Sequence, residues 1–133
     1  MRKRILEHCL QIAKSKNTPE LHPDWGSYHH FSFVVQANKI IEWGTNKKGT
    51  VWEVHGFNNR RHKIHSEVDA ARKAKGLLDK NKPFEMVNIR LSRASIPRKA
   101  APCKCCTSFL SVVGCKKVHY TTDSGWDICK IEK

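Results

Sequence analysis

His65-Ser66-Glu67 and Pro102-Cys103-Lys104-Cys105-Cys106 are the two stretches of this 133-residue chain whose residue types and spacing could do chemistry. Two cysteines three positions apart at a helix start share one face and can share a metal ion. The positive end of that helix favours thiolate over thiol. A histidine from a second helix start supplies a third ligand. Three protein ligands leave one tetrahedral position open, which a catalytic zinc needs for water. Glu67, two residues past His65, can project beside the metal without binding it and move protons there. Cys105 also forms a C-x-C pair with Cys103, but it points about 100° around the helix from Cys106 and reads as a packed or free thiol. Cys103 and Cys106 could instead be half of a structural zinc site completed by Cys115 and Cys129, or by His119. That non-catalytic module leaves His65, Glu67 and Pro102 unexplained.

The elements that must position these residues follow from periodicity and turn signals. Residues 4–15 carry Ile5, Leu6, Cys9, Ile12 and Ala13 at helical spacing. Residues 17–27 hold Pro19, Pro23 and Gly26 and read as a loop. Residues 31–37 and 40–43 form a hairpin around Asn38-Lys39, ending at Gly44-Thr45-Asn46. Residues 46–63 read as one long polar, basic loop, with 50–54 locally extended, and loops of that length usually border a site. Residues 66–78 read as a helix through Val68, Ala71, Ala74 and Leu78, with Gly76 weakening its end. Residues 84–91 read as a strand and 92–101 as a basic loop. Pro102 is expected to open a helix that Gly114 stops. Residues 117–121 and 126–131 read as strands joined by the Asp123-Ser124-Gly125 turn, so the last strand should fold back antiparallel. The expected fold is α/β, a two-layer or three-layer sandwich with a central mixed sheet of about five strands flanked by helices.

The bulk composition sets outer bounds. Apolar residues make up 39% and charged residues 28%, so one folded domain spanning 1–133 is expected. No window approaches the roughly 18 uninterrupted apolar residues of a membrane helix. Residues 5–13 are broken by Glu7, His8 and Gln11 and do not read as an export signal core. The expected location is the cytosol, where six cysteines point to metal binding or free thiols in preference to disulfides. Cys9, Cys115 and Cys129 read as core residues. A net charge of +13 favours a phosphate-bearing partner, from a nucleotide to a single-stranded nucleic acid.

H-x-E followed by P-C-x-x-C resembles the cytidine deaminase superfamily, which includes deoxycytidylate deaminases and tRNA adenosine deaminases. The resemblance runs from about Phe31 to Ile131. It implies a Zn2+ cofactor on His65, Cys103 and Cys106. It also implies that Glu67 takes a proton from water and gives it to a ring nitrogen and then to the leaving amine. In relatives the asparagine after the second strand contacts the substrate, and Asn46 is the matching position. The implied activity is hydrolytic deamination of cytosine in a nucleoside or nucleotide. Editing of cytosine, or less readily adenine, within single-stranded DNA or RNA is the alternative, and self-association is a further implication. Candidate substrate contacts are Asn46, Trp52, Asn58, Arg60 and Pro102. Trp52 would stack on a base, and Asn58, Arg60, Arg61 and Lys63 would meet a phosphate. Trp25, Trp43 and Trp126 read as core or interface residues. Three features depart from the family pattern: the long loop before His65, the basic approach to Pro102 (Arg93, Arg98, Lys99), and Ser66 where relatives often have alanine.

Overall fold

The structure, a computed structural model, describes residues 1–18, 28–48, 53–54, 57–58 and 63–131. Helix α1 (Lys3–Lys16) is followed by strands β1 (Tyr28–Gln36) and β2 (Lys39–Thr45). Four short strands come next: β3 (Lys47–Lys48), β4 (Glu53–Val54), β5 (Phe57–Asn58) and β6 (Lys63–Ile64). Helix α2 (Ser66–Ala74), β7 (Phe84–Ser92), β8 (Pro97–Arg98), helix α3 (Lys104–Val113), β9 (Cys115–Thr122) and β10 (Gly125–Lys130) complete the order.

The main sheet runs β10-β9-β7-β1-β2, with β8 added beside β7. The β7–β9 pair is parallel and the other pairs are antiparallel, so the sheet is mixed as expected. A parallel pair needs a crossover, and α3 provides it. The β9–β10 hairpin folds back antiparallel, also as expected.

Alternation along β1 and β7 divides the core between two faces. Phe31, Phe33, Val35, Val87, Ile89 and Leu91 pack under Ile5, Cys9 and Ala13 of α1. Val34, Met86 and Val118 pack against Ala70, Ala71 and Ala74 of α2 and Phe109 and Leu110 of α3. The result is three layers, with α1 on one face and α2 and α3 on the other. Trp43 and Trp126 pack against the α1-side core, as their reading as core residues requires. Cys9 and Cys115 are buried, and burial pushes both thiols up to about 12, the low-reactivity state of a core cysteine. Cys129 is half-buried against the second core.

Several boundaries differ from the sequence reading. The β1–β2 turn lies at Ala37-Asn38, both with positive φ, one residue earlier than Asn38-Lys39. That geometry matches the primed two-residue turn, whose twist suits flanking strands. Helix α2 stops at Ala74, four residues short, because the chain turns at Lys75–Leu77 around Gly76, closed by the Leu77 N–H on the Ala74 carbonyl at 2.8 Å, and Leu78 packs on the core from outside the helix. The stretch 46–63 is not wholly loop, since β3 pairs with β6 and β4 with β5. The basic loop at 92–101 contains β8, which continues the β9 side of β7 where the β7–β9 register ends. Gly114 caps α3 as expected, at φ +92° in the left-handed region.

Gly44 is where β2 and α2 come closest. A Cβ there would lie 2.5 Å from the Ala70 backbone nitrogen and 2.6 Å from Asp69 Oδ2. The buried Asp69 carboxylate accepts the Thr45 N–H at 3.1 Å and pairs with Lys73 at 3.3 Å, tying the end of β2 to the first turns of α2. Gly44→Ala should therefore force the two elements apart. The expected cost is about 1–3 kcal/mol or more, read from chemical denaturation. An unchanged midpoint would show that the contact is not tight.

Candidate active site

His65 and Cys103 occupy equivalent places in their helices. Each is an N-cap residue with extended backbone, at φ −68°, ψ 149° and φ −72°, ψ 165°. The Cys103 sulfur acts as a cap, accepting the Cys106 N–H at 3.4 Å. This corrects the expectation that Pro102 opens α3: Pro102 stands before the cap, and the cysteine thiol takes the capping role that Ser or Asp usually fills. Thr107 adds two bonds to the Cys103 carbonyl, from its N–H and its Oγ1, both at 2.9 Å.

The starts of α2 and α3 meet at these residues. His65 Nδ1 lies 3.1 Å from Cys106 Sγ and 3.7 Å from Cys103 Sγ. The three donor atoms all fall within 4.8 Å of one another, and among the described residues they form the one such group of metal-binding side chains. Tetrahedral zinc with ordinary Zn–S and Zn–N lengths sets a nitrogen–sulfur edge of about 3.5 Å. The two observed separations bracket that value, so the donor set fits such an ion. Cys106 is buried, His65 half-buried and Cys103 exposed, which gives the group one open side. The Cys103 thiol is held down to about 3, first by hydrogen bonding with Cys106 and then with His65, against some opposing burial. It is thus a thiolate, the form that binds metals, at neutral pH.

Cys115, Cys129 and His119, the residues that could complete a structural site, lie outside this group. Cys115 belongs to the hydrophobic core, and His119 Nε2 bonds Glu85 at 2.8 Å.

Two of the metal-ligand candidates, His65 and Cys103, border a cavity of about 230 Å³. His65, Cys103, Glu67 and Asn46 line it, together with Ser66, His30, Asn88 and Ala100. Asn46 is anchored to β1 from both sides, accepting the His30 N–H at Oδ1 (3.0 Å) and donating its own N–H to the His30 carbonyl (3.4 Å). Pro102 is not among the lining residues, although Ala101 and Cys103 on either side of it are. Trp52, Arg60 and Arg61 fall outside the described residues, as does Trp25. Asn58 and Lys63 are described through their backbones in β5 and β6, and the Cys105 side chain is likewise outside the description.

Sequence reasoning missed two buried polar residues at the site, Ser32 and Asn88. Ser32 and Asn88 break otherwise apolar strands, and a polar residue inside such a run is the signal that could have found them.

No known protein-family profile matches the sequence, and no curated protein matches it. Solved structures do match the fold. The dCMP deaminase of cyanophage S-TIM5 in apo form superposes with a TM-score of 0.58 at 21% identity, over 90% of this chain and 84% of that one. The same enzyme in complex with dCMP and dUMP gives 0.57 and 21%, over 90% and 82%. The cytidine deaminase of Mycobacterium leprae gives 0.52 at 10% identity, over 92% and 88%. The chain therefore has the cytidine deaminase-like fold. Among the described residues no helix is long and apolar enough to cross a membrane.

Proposed function

We propose that this protein is a zinc-dependent hydrolytic deaminase of cytosine in a nucleoside or nucleotide, releasing ammonia and the uracil form. The observation that carries the reading is the convergence of His65 Nδ1, Cys103 Sγ and Cys106 Sγ beside a cavity that His65, Cys103 and Glu67 line. Two sulfurs and one imidazole nitrogen favour zinc over the hard, oxygen-loving cations. Cytosine as the target base is supported by the neighbouring fold crystallised with dCMP and dUMP.

When bound, zinc lowers the pKa of water toward roughly 7 and so supplies a nucleophile at neutral pH. His65, Cys103 and Cys106 would hold the ion. Glu67 takes one proton from the attacking water and passes it to the pyrimidine ring nitrogen, then takes the proton of the added hydroxyl and delivers it to the departing amine. Asn46, fixed on β1, holds the sugar or base against Glu67.

The net charge of +13 favours a second reading, deamination within single-stranded DNA or RNA. A substrate panel separates the two. Zinc-loaded protein is given cytidine, deoxycytidine, CMP, dCMP, adenosine and cytosine-containing single strands, and ammonia release is followed at low and high salt. The proposal expects turnover of a free cytosine nucleoside or nucleotide with weak salt dependence. Turnover confined to single strands and falling steeply with salt would replace it with the editing reading. No turnover of any cytosine or adenine substrate would remove both.

A further inference from the structure

We propose that Ser66, Ser32 and Asn88 form a positioning chain that aims the Glu67 carboxylate, an inference that rests on the deaminase reading above. The links are continuous. Ser66 Oγ donates to Glu67 Oε1 at 3.1 Å and lies 2.7 Å from Ser32 Oγ. Ser32 Oγ donates to Asn88 Oδ1 at 2.8 Å, and Asn88 Nδ2 donates to the Ala100 carbonyl at 3.4 Å. All four side chains are buried, with Glu67 the most exposed at 7%. Polar groups placed this deep between a sheet and a helix are costly unless bonded, so the chain is maintained as a unit.

Its polarity is set from one end. The Ala100 carbonyl can only accept, so the Asn88 amide must turn its NH2 group there and its oxygen toward Ser32. Ser32 spends its single proton on that oxygen, so the one Ser66 hydroxyl proton faces two acceptors, Ser32 Oγ at 2.7 Å and Glu67 Oε1 at 3.1 Å, and is shared between them as a three-centre bond. The Ser66 hydroxyl is left facing Ser32 on one side and the Glu67 carboxylate on the other. A carboxylate bonded at Oε1 resists rotation about its Cγ–Cδ bond, which leaves Oε2 for proton transfer.

The chain also joins the two halves of the site. Ser32 comes from β1, Asn88 from β7 and Ser66 from the first turn of α2. Ala100 lies three residues before Cys103 and lines the cavity. The proton-moving group is thereby referenced to the segment that delivers a metal ligand. Ser66, Ser32 and Asn88 are positioning residues, acting on the reaction through Glu67.

The test is Ser66→Ala, with Ser32→Ala as a second variant should the first fail to fold, both compared with wild type in steady-state kinetics on dCMP, thermal melting and crystal structures. The expected result is a fall in kcat of about 10- to 100-fold with KM changed little, because a misplaced catalytic group costs rate and not ground-state binding. Melting should fall by a few degrees at most, the cost of a lost buried hydrogen bond, and the Glu67 carboxylate should be reoriented in the crystal. Undiminished kcat, or a Glu67 carboxylate unmoved in the variant, would overturn the proposal. A wild-type protein inactive on all cytosine substrates would instead sink the deaminase reading. The Glu67 orientation in the two crystal structures would then still decide whether the chain positions it.

Discussion

Glu67→Gln should abolish nearly all turnover while leaving the zinc content of the protein at one ion per chain. Glutamine has the shape of glutamate and keeps an oxygen able to accept from Ser66, so packing and the hydrogen-bond chain are disturbed little. It loses the one property the reaction uses, the ability to take up and release a proton. General acid–base catalysis is worth about 10²–10⁴-fold, and Glu67 is asked to serve both the ring nitrogen and the leaving amine, so a loss toward the upper end is expected. Glu67 lies outside the His65–Cys103–Cys106 group, which is why zinc retention is expected alongside the loss of rate. Ammonia release and elemental analysis on the same preparation check both halves. A variant that keeps zinc and also keeps activity would refute the proton-moving role.

The second large effect is expected from Cys106→Ser. Cys106 is the buried member of the metal group, 2% exposed, and its sulfur is the nearer to His65 Nδ1. An alcohol oxygen is a poor replacement for a thiolate, and two ligands cannot hold zinc as three do. The loss in affinity should exceed the roughly 10–100-fold that follows from disturbing a ligand's outer partners. Purified variant should contain well under one zinc per chain and show no turnover until zinc is added in excess. Stability should fall as well, because metal bound to the folded chain stabilises it by mass action. Stoichiometric zinc in the variant would move the metal to other residues, with Cys105 the first to examine.

The contrast between Glu67 and Ser66 shows what a sequence of this kind makes legible. His65, Glu67, Cys103 and Cys106 could be found because short spacing at a helix start puts donors on one side, a local rule. The helices and strands that carry them followed from apolar periodicity, and β1, β7 and β9 fell close to their expected ranges. The distant partners obey no local rule. Ser32 stands 34 residues before Ser66, and Asn88 lies 56 residues after Ser32; only the β1–β7 register, Ser32 opposite Asn88, brings them together. Gly44 was visible as the end of a strand, but its reason is the backbone of α2 pressed against it. The start of α3 lies two residues after Pro102, because a cysteine cap looks, in sequence, like the first turn of the helix. The short end of α2 and the strand β8 turned on marginal local preferences that tertiary packing decides.

X-ray absorption at the zinc edge tests the central claim most directly, since the whole account rests on three protein ligands and one open position. The account expects two sulfur neighbours at about 2.3 Å and two nitrogen or oxygen neighbours at about 2.0–2.1 Å, one of them the His65 imidazole. A shell of three or four sulfurs would contradict it, because the ion would then be closed by further cysteines and Glu67 would have no reaction to serve.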